Sequence, residues 1–186
     1  LATSLTTVCR VLNVEIVQEG NTGVFPYWGQ LGHYSIGTFA VRAMAGGKAL
    51  AEAGITPAQV GVLINTAVSR EYLEPSTAVA IHHQMGLPTN CLNFDLANAC
   101  LGFVNGIQLA GTMIDSGQAD YAVIVDAEGS RYTQELTLER LAAEGTTAAD
   151  LRSQFATLTL GSGSAAMVLG RADRHPEGHR VVGGVS

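Results

Sequence analysis

The chain has 186 residues, 47% of them hydrophobic and only 14% charged, a balance that supports a large buried core for one domain or half of a doubled fold and excludes a disordered tail. A formal net charge of −6, with no cluster of lysine and arginine to attract phosphate, argues against nucleic acid or an anionic membrane surface as partner. Three cysteines, Cys9, Cys91 and Cys100, stand without paired spacing; this suits a reducing cytoplasm and predicts no disulfide.

The chain opens LATSLTTVCR rather than with methionine, so its start is expected to be trimmed. It shows neither a secretory signal pattern nor an apolar span of about twenty residues that would cross a membrane. Residues 1–34 carry no clear pattern and are left unassigned: VLNVEIV fits a strand, and EGNTGVFPYWGQLGHY mixes turn residues with aromatics. From Ser35 onward the pattern is regular, so residues 35–186 are read as one unit. IGTFAVRAMAGGKALAEAG has apolar residues at helical spacing, and TPAQ turns the chain into VGVLINTAV, a buried strand. The loop SREYLEP follows; Pro75 and Ser76 open the helix STAVAIHHQMG, Gly86 closes it, and CLNFDLA is the next strand.

CLGFVNGIQLAGTMIDSG is apolar on nearly all sides and relieved by Gly102, Gly106 and Gly111, the composition of a helix packed inside the protein with other backbones close by. DYAVIVDAEG is another buried strand, residues 130–156 form a more polar helical excursion, and GSAAMVLG and RVVGGVS supply two further strands. Strands rich in Val, Ile and Leu that alternate with helices predict an α/β fold whose mostly parallel sheet is covered on both faces.

Cys100 is the residue on which a function turns. A buried cysteine is commonly a small hydrophobe, and Cys91, at the start of its strand, is read that way. Cys100 differs in position, because it follows the carboxyl end of a strand and opens a long helix. Unpaired N–H groups and the positive dipole end there would stabilise a thiolate and hold the oxyanion formed when a thioester is attacked. The carboxyl edge of an open α/β sheet is also where ligands usually bind. The arrangement is analogous to a nucleophile elbow with sulfur in place of oxygen.

NFDLANACLGFVNGIQLA, preceded by VGVLINTAVSREYLEPSTA and followed by DYAVIVDAEG and TLGSGSAAMVLG, resembles the first half of a thiolase-superfamily condensing enzyme in the branch of β-ketoacyl synthase III, over about residues 35–186. The resemblance implies a thiolase-like fold, layered αβαβα. It also implies that Cys100 takes an acyl group from a coenzyme A or carrier-protein thioester and donates it to a carbanion in a Claisen condensation. SREYLEPSTA is similar to the olefin-pathway thiolases that condense two long-chain acyl-CoAs head to head. There the glutamate before the proline, here Glu74, reaches into the partner subunit's active site as the base for the second acyl chain. Such a base is needed because that substrate has no malonyl carboxylate to lose. The plainer alternative is that Glu74 is a solvated loop carboxylate, which is how Glu71 is read.

Other motifs carry less. GSGSAA, residues 161–166, matches the dinucleotide fingerprint but precedes a strand instead of opening a helix, so no cofactor is predicted; the resemblance implies a tight turn there, near the active-site floor. His82 and His83 are sequence neighbours and do not share a helix face, so they are expected to be an exposed pair, or one exposed and one satisfied. His175 and His179 flank a Pro and a Gly in HPEGH, so helical metal-ligand spacing does not apply, and no metal is predicted. The family's catalytic histidine and asparagine belong to the second half of the doubled fold, and none of the five histidines here fills that role. The chain is therefore expected to be a fragment, a separately encoded half or part of a longer protein, unable alone to complete a catalytic cycle. Its expected partners are acyl thioesters and either a second full-length copy, forming a homodimer, or a C-terminal half.

Three alternatives stay open. One is decarboxylative initiation of fatty-acid or polyketide synthesis. The second is a non-catalytic thiolase-like partner that shapes an acyl tunnel or lends Glu74 to a neighbour. The third is a cysteine hydrolase, which would need its own His and Asp at converging strand ends.

Overall fold

The computed structural model describes residues 9–18, 35–70 and 73–182. In chain order its elements are β1 (Cys9–Gln18), α1 (Ser35–Ala53), β2 (Val62–Asn65), α2 (Thr77–Gln84), β3 (Leu92–Asp95), α3 (Gly102–Asp115), β4 (Tyr121–Glu128), α4 (Arg131–Leu141), α5 (Ala148–Leu158), β5 (Gly163–Arg171) and β6 (His179–Arg180). A short 3-10 turn at Pro57–Gln59 leads into β2. VLNVEIV, ambiguous by sequence, is the body of β1. The polar excursion is a pair of helices, and Gly86, at φ 63°, closes α2 in a conformation that disfavours other side chains.

All six strands lie in one sheet in the order β3-β2-β4-β5-β1-β6. β3, β2 and β4 are parallel, since α2 and α3 carry the chain back across the sheet between them. β5 then runs antiparallel to β4, β1 antiparallel to β5, and β6 antiparallel to β1. The α/β class and the mixed sheet agree with the sequence. Among the described residues two of five neighbouring pairs are parallel, although four of six strands share one direction. The cause is the helical pair α4–α5, whose elements pack on each other and not across the sheet, so β5 can turn back beside β4. Of the last predicted strand, RVVGGVS, Arg180 belongs to β6 and pairs with Arg10 of β1, and residues 183–186 lie outside the described residues.

Strand side chains alternate between two cores. Leu63, Val123, Val125, Ala166 and Val168 face Ala45, Ala49 and Leu50 of α1 and Ile81 of α2. Val62, Ile64, Ala122, Ile124, Met167 and Leu169 face Ala110, Met113 and Ile114 of α3. β2 and β4 are therefore buried on both sides, which is why their sequences read as continuous apolar runs instead of alternating.

On the second face α3 lies close against the sheet. A Cβ added at Gly102 would stand 2.8 Å from the Thr66 carbonyl oxygen and 3.3 Å from that of Leu96, and one at Gly106 would meet Thr66 Cγ2 and Ile124 Cγ2 at 3.0 and 3.1 Å. The obstacle at Gly102 is backbone, which cannot rotate away. Gly102→Ala is thus expected to push the start of α3 off β2 and to destabilise the protein by roughly 1–3 kcal/mol despite alanine's better helix propensity, measured by urea unfolding.

Candidate active site

Cys100 sits two residues ahead of Gly102, the first residue of α3, and its side chain is exposed. The turn that presents it is tight. Ala99 adopts φ 43°, in the left-handed region that a small side chain tolerates better than a bulky one, and Leu101 N–H and Gly102 N–H donate back to Asn98 and Ala99 carbonyls at 2.9 and 3.2 Å. Asn98 Nδ2 donates to Asn105 Oδ1 at 2.7 Å, tying the turn to the second turn of the helix. This is the elbow expected from the sequence, with an exposed thiol held at a helix N-terminus beyond the carboxyl end of a parallel strand.

Glu74 leaves the sheet one strand away. β2 and β3 are parallel neighbours with Asn65 opposite Asp95, so the loop after β2, which carries Glu74, and the loop after β3, which carries Cys100, emerge at the same edge. Glu74 is exposed, and its peptide bond to Pro75 is cis. Glu71 lies outside the described residues.

Sequence reasoning missed the carboxylates that hold this edge together. Ser76 occupies the N-cap of α2 but makes no side-chain cap; Asp95 supplies it from the neighbouring strand. Asp95 Oδ2 accepts from Thr77 N–H and Oδ1 from Ala78 N–H, both at 2.9 Å, and Oδ1 also accepts from Asn65 Nδ2 at 2.9 Å. On the other side of the loop, Glu128 at the end of β4 accepts from Val68 N–H at 2.6 Å and from Ser69 N–H at 2.9 Å. Arg42, fully buried in α1, donates to the Ser69 carbonyl and, at 2.7 Å, to that of Ala127. Asp126 accepts from Thr66 Oγ1 at 2.9 Å; burial raises its carboxyl above the usual carboxylate range, with the Thr66 hydrogen bond opposing and the nearby Glu128 charge adding to the rise. The available signal was an acidic residue closing an otherwise apolar strand, as in LNFD and YAVIVDAE.

The weaker motifs fall elsewhere. His82 Nε2 pairs with the Pro88 carbonyl at 3.0 Å and His83 is exposed, so one is satisfied and the other solvated. His175 Nε2 meets the Tyr121 hydroxyl at 2.9 Å and its Nδ1 lies 3.5 Å from Glu177, tying the β5–β6 connection to β4. Among the described residues no group of three His, Cys, Asp or Glu side chains is placed to hold a metal ion, and no helix is long and apolar enough to cross a membrane. GSGSAA is not a tight turn: Gly161 and Ser162 precede β5 without turn geometry, and Ser162 Oγ accepts from Ser130 N–H at 3.0 Å. Cys91 is buried, its Sγ 3.5 Å from the Leu92 carbonyl, and Cys9 lies in β1.

Residues 94–183 match the family model for 3-oxoacyl-[acyl-carrier-protein] synthase III. The chain is 46% identical over 139 residues to an acyl-CoA:acyl-CoA alkyltransferase of Xanthomonas campestris, an alignment covering 75% of this chain and 41% of that protein. It is 31% identical over 157 residues to a β-ketoacyl-[acyl-carrier-protein] synthase III of Streptomyces glaucescens, covering 83% and 42%. Its fold superposes on a crystal structure of a variant of Xanthomonas campestris OleA with bound lauric acid and lauroyl-CoA at a TM-score of 0.87, with 33% identity over 97% of this chain and 61% of that one. The architecture is the thiolase-like one. The chain belongs to the thiolase superfamily, in its 3-oxoacyl synthase III branch, and spans about two fifths of the length of the curated relatives it matches.

The two thiols with described side chains should behave differently. Burial pushes the Cys91 thiol up to about 11, against a smaller opposing hydrogen bond involving the Leu63 backbone. At pH 8 only about one Cys91 in a thousand would then be thiolate, and its side chain is also out of reach. Native iodoacetamide labelling at pH 8, mapped by peptide mass spectrometry, is expected to modify Cys100 and spare Cys91 until the protein is unfolded.

Proposed function

We propose that this chain is the nucleophile-bearing part of an acyltransferase that condenses two long-chain acyl-CoAs head to head without decarboxylation. The observation that carries the reading is an exposed cysteine, Cys100, at an elbow on the carboxyl edge of the sheet, in a chain 46% identical to an acyl-CoA:acyl-CoA alkyltransferase. In the first step the Cys100 thiolate attacks the thioester carbonyl, N–H groups at the start of α3 steady the oxyanion, and coenzyme A leaves as its thiolate. In the second, Glu74 removes the α-proton of another acyl-CoA. The carbanion attacks the acyl-enzyme carbonyl, forms the carbon–carbon bond and expels the Cys100 thiolate, giving a β-keto acyl-CoA. A cytoplasmic location belongs to the same proposal, since the substrates are coenzyme A thioesters and the nucleophile is a reduced thiol.

The likeness to β-ketoacyl synthase III supports a second reading, decarboxylative initiation with a malonyl carrier protein. Carbon dioxide release with malonyl carrier protein would favour it; product from two acyl-CoAs alone favours the first.

Mutation of the two residues in the full-length enzyme divides the steps. Cys100→Ala is expected to abolish both the acyl adduct, read by intact-protein mass spectrometry, and turnover. Glu74→Gln is expected to acylate normally and lose condensation by roughly 10²- to 10⁴-fold, the usual contribution of a positioned general base. Acylation on Cys91 with turnover retained in Cys100→Ala would overturn the assignment of the nucleophile.

Use of Glu74 across a subunit boundary requires a dimer of full-length subunits. Its support is the apolar surface around the edge strand β3, where Leu92, Leu101 and Val104 are all more than half exposed. Sedimentation is expected to give a dimer, which would bury well over about 2,000 Å². A fully active monomer at micromolar concentration would contradict it.

A further inference from the structure

The Asp95 carboxylate is nearly buried, with 4% of its side chain exposed, and a buried charge persists only where its lone pairs are well met. Its donors are the two N–H groups that open α2 and the Asn65 amide, with Arg70 Nη1 3.9 Å away. Those partners bracket Glu74 in the chain: Arg70 precedes it by four residues and Thr77 follows it by three. Asn65 stands directly opposite Asp95 in the β2–β3 ladder, so this grip is referenced to the sheet and not to another loop. Asp95 also ends the strand that leads to Cys100, five residues on.

We propose that Asp95 is a positioning residue for the condensation step: by gripping both flanks of the Glu74 loop it sets where the Glu74 carboxylate leaves the sheet edge, and so how it is presented to the active site of the partner subunit. This rests on the functional reading above. Asp95 touches no reacting atom; it acts through Glu74. Proton abstraction is sensitive to misplacement of the base by about an ångström, which can cost around 10²-fold, whereas attack by Cys100 depends on the other loop.

The test uses the full-length enzyme and follows two signals, Cys100 acylation in a single turnover and β-keto product in the steady state. Asp95→Asn keeps the volume but replaces one acceptor oxygen with an NH₂ group that cannot accept from an α2 N–H. It is expected to acylate within about threefold of wild type and to condense roughly 10- to 10²-fold more slowly, a loss in kcat and not in the KM of the first acyl-CoA. Because the residue acts through Glu74, the Glu74→Gln/Asp95→Asn double variant should condense no more slowly than Glu74→Gln alone. A purely structural role would depress acylation and condensation together and make the double variant slower. If Asp95→Asn fails to fold, Asn65→Ala, which deletes the amide bonded to Asp95 Oδ1, carries the same two expectations.

The outcomes separate the inference from the reading beneath it. Wild-type condensation by Glu74→Gln removes the functional reading and this inference with it. A defect in Glu74→Gln together with wild-type condensation in Asp95→Asn, or additive defects in the double variant, overturns this inference alone.

Discussion

Asn65 and Asp95 lie side by side at the carboxyl ends of two parallel strands, joined by a hydrogen bond of 2.9 Å between their side chains, and most of what gives this edge its shape follows from that pairing. Because β2 and β3 end in register, the two loops that leave them begin at the same level. The Asp95 carboxylate then meets the N-terminus of α2, where its charge complements the positive end of the helix and replaces the serine cap that the local sequence offers. The Leu96 N–H donates back to the Asn65 carbonyl at 2.8 Å, extending the ladder one residue beyond the strand before the chain turns toward Cys100.

The same edge concentrates charge that the interior could not hold unpaired. Asp95, Asp126 and Glu128 close their strands, and each accepts hydrogen bonds from backbone or side-chain donors of a neighbouring segment. Arg42 reaches from α1 to the Ser69 carbonyl in the loop after β2 and to the Ala127 carbonyl near the end of β4. These tethers place the loops without a covalent link, and hydrogen bonds with a charged donor or acceptor are stronger than their neutral equivalents. Against this fixed frame the two cysteines with described side chains differ by environment alone: Cys91 is packed in the core below α1 and α2, and Cys100 stands in solvent at the head of α3.

Helix α3 shows how a small residue can serve both packing and chemistry. Gly102 admits the Thr66 and Leu96 backbone to within contact distance and Gly106 the Thr66 and Ile124 side chains, which seats the helix start and so determines where the preceding turn must lie. The left-handed backbone at Ala99 completes that turn, a conformation that no apolar pattern announces.

Much of the fold was legible from local pattern. The order of strands and helices from Ser35, the closure of α2 at Gly86 and the position of Cys100 ahead of α3 all follow from periodicity, glycine placement and the strand-to-helix transition, which act over a few residues, whereas α3, expected to be interior, buries one face on the sheet and leaves Val104, Gln108 and Thr112 exposed. What tertiary structure alone decided is pairing between distant segments. β1 lies between β5 and β6, and β5 runs antiparallel to β4, because of where the connections pass. Asp95 caps a helix 17 and 18 residues earlier in the chain and bonds an asparagine 30 residues earlier, and Glu128 reaches back 59 and 60 residues. The sequence by itself determined which segments form elements and which cysteine opens a helix. The partner of each strand-end carboxylate is set by the register of the assembled sheet, because a hydrogen bond depends on distance in space and local sequence pattern does not encode it.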